Sequence, residues 1–280
     1  MTTPMTSTSE TTPVLRADLK TIAVTRDEHG VATVAMARPE VYNAFDEVMI
    51  AELAEAFHVL GADASVRAII LSGQGRAFSA GADLQWMKRA SVATYEWNRD
   101  DARRFADMLH RIEACPKPTI ARVQGVALGG GVGLICACDM SVASSDASFA
   151  ASEARFGILP SVIGPYLINA VGKRHAKRLA LLAGRVAADE ALRIGLVDQV
   201  VAVDELDAAV RVLVDDILRN GPGAAGEIKT LFGQVPVGPI TAETRELTAR
   251  TIARVRMTDE AKEGFAAFFE KRPAAWMVKS

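Results

Sequence analysis

The 280-residue chain carries three cysteines, Cys115, Cys136 and Cys138. So few, and an odd number, exclude a closed disulfide framework and fit a reducing cytoplasm. Charge of neither sign dominates: 32 Lys and Arg stand against 34 Asp and Glu, a net charge of −2. No broad basic face for nucleic acid is expected. No uninterrupted apolar run reaches transmembrane length, so no membrane partner is expected. The start, MTTPMTSTSETTP, has neither a basic n-region nor an apolar h-region. It is no secretory signal, and a disordered tail is predicted over residues 1–17. Histidines are few and scattered, and Cys136 and Cys138 would point different ways on a helix, so no metal site is expected. There is no G-x-S-x-G elbow for a serine hydrolase. The glycines at 129–131 do not continue as G-x-G-x-x-G, because Leu134 and Cys136 fall where the last glycine belongs. With no Lys-Ser/Thr following, dinucleotide and P-loop readings both fail.

What is present is apolar and periodic. Half of the residues are hydrophobic, enough for one large core. Leu19–Arg26 and Val31–Ala37 alternate as strands about a turn at Asp27–Gly30. Asp46 caps a helix whose Met49, Leu53, Phe57 and Leu60 share one face. Val66–Leu71 and Thr119–Val123 read as buried strands, separated by a helix over Tyr95–Ala114 that stops before Pro116 and Pro118. Strand and helix alternate to about Val201, predicting an α/β sheet. Beyond Val203 only helical patterns follow, at Leu206–Leu218, Thr241–Val255 and Glu260–Phe269. The basic run Lys173–Arg178 reads as a wet helix face.

One stretch organises the rest: ARVQGVALGGGVGLICACDMSVASSDASFAASEARFGILP, Ala121–Pro160. Glycines in apolar surroundings mark close backbone approach. A bare N–H at a strand-to-helix turn can stabilise an oxyanion. Glu153, a lone carboxylate among apolar residues, is a candidate proton-transfer group.

The blocks ALGGGVGLICACD and FAASEARFGILP resemble the enoyl-CoA hydratase/isomerase (crotonase) family, as does SGQGRAFSAGADL at Ser72–Leu84. The resemblance covers roughly Leu19 to the C-terminus. It implies a crotonase-type spiral of ββα units over 18–204 and a helical trimerisation segment over 205–280. It further implies a homotrimer or dimer of trimers. Glu153 matches the family base. Gly130 and Ala80 match the two backbone N–H donors to the thioester oxygen. CoA contacts are implied for Asn43 and Ala44, for Ala80, Gly81, Ala82, Asp83 and Leu84, and for Gly130. Phe268 and Lys271 match residues reaching CoA in a neighbouring subunit. Coenzyme A is part of the substrate, and no cofactor is implied.

The implied activity is hydration of a 2-enoyl-CoA thioester, with double-bond isomerisation as the alternative. A non-catalytic acyl-CoA- or RNA-binding relative is opposed by the retained Glu153. The family's other glutamate is replaced by Gly133, and the local pattern is similar to bacterial methylglutaconyl-CoA hydratases. Losing that charge is expected to open volume beside the reacting carbons and to admit a carboxylated acyl group such as 3-methylglutaconyl. Arg155 is a candidate partner for such a carboxylate, and Gly133→Glu is expected to favour crotonyl-CoA.

Overall fold

The computed structural model describes residues 15–277. Most of the tail expected over 1–17 lies outside them. From Leu15 onward the chain is anchored: Leu15 packs on the core, and Arg16 pairs with Glu52 and Glu55.

A six-stranded sheet carries the fold, in the order β1-β2-β3-β4-β6-β9. Strands β1 (Ile22–Arg26) and β2 (Val31–Met36) are antiparallel. Their turn is built by Asp27, whose carboxylate accepts from His29 N and Val31 N at 2.9 Å each. The remaining pairs are parallel: β3 (Ala68–Gly73), β4 (Thr119–Val123), β6 (Met140–Ser144) and β9 (Gln199–Val201). Burial on both faces explains the nearly unbroken apolar text of β3.

A second, smaller sheet has the order β5-β7-β8, from β5 (Val126–Leu128), β7 (Ser148–Ala150) and β8 (Val186–Ala187). Isolated bridges extend it: Ser79 pairs with Ala127, and Phe45 with Ala82. Each turn of chain therefore gives one strand to the large sheet, one segment to the small sheet, then a helix. This is the expected ββα spiral. Gly125, at φ +62°, makes one corner between the sheets; a Cβ there would lie 2.1 Å from Arg76 O.

Helix α1 (Glu47–Ala62) starts at Asp46, whose carboxylate accepts from Val48 N and Met49 N. Such a cap contributes ~1 kcal/mol. Its stripe Met49, Leu53, Phe57 and Leu60 is buried against α3 (Tyr95–Glu113) and the sheet. Two short helices belong to the site: α2 (Leu84–Ala90) and α4 (Gly130–Ala137). Helix α5 (Gly164–Leu182) is kinked at Gly172, and α6 (Ala188–Arg193) leads to β9.

The outer face of the large sheet is sealed by α7 (Leu206–Arg219). Leu206, Val210, Val214 and Leu218 form its apolar stripe and meet Val31, Ala68, Ile120 and Val142. Burying each such side chain stabilises by roughly 1.5–3 kcal/mol. Helix α7 thus belongs with the sheet, although the sequence assigns it to a separate segment from residue 205. Helices α8 (Pro222–Gln234), α9 (Ala242–Arg256) and α10 (Asp259–Glu270) follow. They carry exposed Ile228, Phe232, Ile252, Phe265, Phe268 and Phe269.

Candidate active site

Each of the three glycines is needed for a different reason. Gly129 ends the strand that leads into α4, with φ +51° and its N–H donated to Ala150 O at 2.7 Å. Gly130 lies under an aromatic wall; a Cβ there would be 2.1 Å from Phe45 Cζ. Gly131 passes Ser79 so closely that a Cβ would meet Ser79 O at 2.8 Å. Together they bring the start of α4, where unpaired N–H groups concentrate partial positive charge, to the surface of a cavity.

That cavity, about 520 Å³, is lined by Gly130, Ala82 and Glu153 and by an apolar wall. Phe45, Trp86 and Phe105 stack with centroids 5.2–6.5 Å apart. Asp101 fixes Trp86 by accepting from its Nε1 at 3.0 Å. Phe156, Ile158 and Leu159 form an exposed apolar lip. No lysine or arginine lines the cavity, and Glu153 is its one acidic residue.

Glu153 opens a 3-10 turn, Glu153–Phe156, closed by the left-handed Gly157. Its Oε1 lies beside Gly129, 3.3 Å from where a Cβ would sit. Its Oε2 is buried with no hydrogen-bond partner among the described residues. Burial pushes the carboxyl above the ordinary value of 4.5, against a smaller lowering by a backbone hydrogen bond. A carboxylate that lines an apolar cavity, with one oxygen unpartnered among the described residues, is suited to taking and returning protons.

The expected oxyanion donor Ala80 is corrected. Its N–H is donated to Tyr42 O at 2.8 Å and is not free to bind a ligand. The free group belongs to Ala82. Phe45 bridges its two neighbours, donating to Gly81 O at 2.8 Å and accepting from Asp83 N at 3.0 Å. In extended backbone the intervening N–H points the other way, here toward the cavity, with no partner among the described residues. Gly81 adjoins Gly130: a Cβ on Gly81 would lie 3.6 Å from Gly130 N. The donors brought together are Ala82 and Gly130. The small residues of Ser79–Asp83 mark the segment in the sequence. The bend at Gly81, φ +85°, hides which alanine faces inward.

The structure places the other expected CoA-contact residues as follows. Asn43 is fully buried, its Nδ2 donating to Gln74 O and Ala77 O and its Oδ1 accepting from Arg38 N. It ties three segments together and has no polar group left for a ligand. Ala44 uses its N–H on Val41 O and its carbonyl on Arg38 Nη1. Gly81 spends its N–H on Ser79 Oγ. The Asp83 carboxylate caps α2 and pairs with Arg38 at 2.9 Å. Leu84 is 76% exposed and outside the cavity lining. Phe268 and Lys271 are exposed on α10 and at its end, also outside it.

The volume expected to open at Gly133 is filled. A Cβ at Gly133 would lie 2.3 Å from Ile163 Cγ2 and 2.9 Å from Ile163 Cβ. Gly133→Glu therefore collides rather than simply adding an acid. Arg155 is exposed and does not line the cavity. The expected volume and the expected cation for a carboxylated acyl group are both missing from the lining, although Glu153 is its one acid as expected. Trp86, Phe105 and Ile163 were not expected from the sequence; a tryptophan three residues past the Asp83 cap was the available signal for the first.

Residues 26–279 match the family described as "Enoyl-CoA hydratase/isomerase". The chain is 34% identical over 258 residues to crotonyl-CoA hydratase of Syntrophomonas wolfei, covering 90% of this chain and 96% of that one. It is 36% identical over 230 residues to the mitochondrial Delta(3,5)-Delta(2,4)-dienoyl-CoA isomerase of Homo sapiens, covering 75% of this chain and 67% of the relative. Among solved structures, an enoyl-CoA hydratase from Shewanella pealeana superposes with a TM-score of 0.89 at 38% identity, covering 92% of this chain and 97% of that chain. With its spiral of ββα turns, its glycine-bounded α4 and its half-buried Glu153, this chain belongs to the enoyl-CoA hydratase/isomerase family.

Proposed function

We propose that the protein hydrates 2-enoyl-CoA thioesters with Glu153 as its single acid–base group. The observation that carries this is a half-buried carboxylate, one oxygen of which is buried without a partner among the described residues, sharing an apolar cavity with two free backbone N–H groups. The N–H groups of Ala82 and Gly130 receive the thioester oxygen as it takes up negative charge. Glu153 accepts a proton from water as the hydroxyl adds to C3. The enolate then takes that proton at C2, so water is consumed and Glu153 returns to its carboxylate form. Hydratase relatives such as that of Syntrophomonas wolfei support this choice. A second reading, double-bond isomerisation, is favoured by Ile163, which fills the place from which another acid would hold water. Glu153 would then remove a proton from one carbon and return it two carbons away through the same enolate.

The apolar lining without a cation favours an uncharged acyl chain over 3-methylglutaconyl. Coenzyme A enters as part of the substrate. The exposed Phe265, Phe268 and Phe269 support assembly as a homotrimer or dimer of trimers, with Lys271 offered to a neighbour's CoA. The test is product analysis with 2-enoyl- and 3-enoyl-CoA esters of four to ten carbons in ¹⁸O water. Labelled 3-hydroxyacyl-CoA from the uncharged esters is expected. Failure to turn over any enoyl-CoA overturns the proposal.

A further inference from the structure

We infer that Ile163, seated against Gly133, sets how this site divides between hydration and double-bond migration. The inference rests on the enoyl-CoA reading above. Gly133 lies one turn of α4 beyond Gly129 and Gly130, on the helix face those residues present to Glu153 and the cavity. A side chain growing from position 133 would run into Ile163, which lines the same cavity as Glu153. Ile163 already holds that space: it is 2% exposed, lines the same cavity, and stands 2.3 Å from the missing Cβ. Leu109 Cδ1 closes the other side at 3.6 Å. Gly133 and Ile163 are therefore one unit, since the glycine exists to admit the isoleucine.

The consequence is chemical. A water positioned for attack needs two to four polar partners and roughly 30 Å³. Hydrocarbon from Ile163 offers no such partner and fills the place a side chain at position 133 would take. A proton shuttle between carbons needs neither, because the carboxylate alone carries the proton. Ile163 thus biases the enolate toward proton return and away from water addition. It acts through the space around Glu153 and is a specificity-determining residue.

The experiment measures hydration and isomerisation rates on 2-hexenoyl-CoA and 3-hexenoyl-CoA, with pH profiles, for the parent, Ile163→Ala and the milder Ile163→Val. Ile163→Ala should raise the hydration-to-isomerisation ratio by roughly tenfold, within what one well-placed acid–base contact supplies. The acidic limb of its pH profile should move to lower pH as water reaches Glu153. Ile163→Val should shift both in the same direction by less, which keeps the test open if the alanine variant folds poorly. Gly133→Glu alone should lose most soluble, folded protein, and adding Ile163→Ala should restore it. An unchanged ratio and pH limb in both Ile163 variants, or a Gly133→Glu protein as stable as the parent, overturns the inference. A parent that turns over no enoyl-CoA instead overturns the reaction on which it rests.

Discussion

An ionised Glu153 has one oxygen buried away from every donor among the described residues, and this costs stability. Because burial raises its folded value above the ordinary 4.5, its favourable contribution is complete below that value. That contribution disappears as pH rises through the raised value. At neutral pH the charge is a net liability. Glu153→Gln should therefore melt at a higher temperature than the parent at pH 8. The advantage should shrink on acidification and vanish below about 4.5. Thermal melts across that range check it, and a variant less stable at pH 8 contradicts it. For the two backbone donors, a bound thioester analogue should place its carbonyl oxygen within ~3 Å of both Ala82 N and Gly130 N. A carbonyl seated on any other pair of donors contradicts that assignment. Glu153 and Gly130 were legible in the sequence because carboxylates and glycine runs have few reasons to sit among apolar residues. The choice between Ala80 and Ala82 was not, because it turns on a bridge from Phe45, far away in the chain.

Helices α2 and α3 wall one side of the cavity, and one buried hydrogen bond between their side chains holds Trp86 there. Asp101, 5% exposed, accepts from Trp86 Nε1 and pairs with Arg104 at 3.0 Å. Asp101→Ala would leave a buried indole N–H unpaired, a loss of ~1–3 kcal/mol. Trp86 would then move against Phe45 and Phe105. The expected outcome is a lower Tm and a KM that rises more for long acyl chains than for crotonyl-CoA. Equal changes for both chain lengths would separate this wall from acyl binding. At this scale the long elements were readable: α1, α3 and β4 follow from periodicity and from the stop at Pro116. The strands β7 and β8 have three and two residues, too short to carry a period. Helix α8 is absent from the expected helices because Gly221, Pro222, Gly223 and Gly226 are helix breakers that hide its period. It is capped from outside by Glu260, whose carboxylate accepts from Gly223 N and Ala224 N at 2.8 Å each.

At the scale of the whole molecule, the two ends of the chain differ in how well they are covered. The spiral encloses its core, and α7 seals the outer face of the large sheet. Helices α8 and α9 have no buried residue, and Phe232, Phe268 and Phe269 are each more than 70% exposed. Apolar area of that kind is normally covered by another protein surface. Light scattering at micromolar concentration should return three or six times the chain mass. A monomer would remove the neighbour's role given to Lys271. The helical character of this end was plain in the sequence, whereas the spiral came from family resemblance, since no local period encodes which sheet a strand joins.

The central claim is that Glu153 alone moves the protons while backbone groups hold the enolate. It is tested most directly by comparing turnover and thioester binding in Glu153→Gln. The substitution keeps shape and removes only the ionisable proton. Turnover should fall by ~10²–10⁴ with the dissociation constant for an unreactive acyl-CoA nearly unchanged. Turnover close to that of the parent would contradict the account.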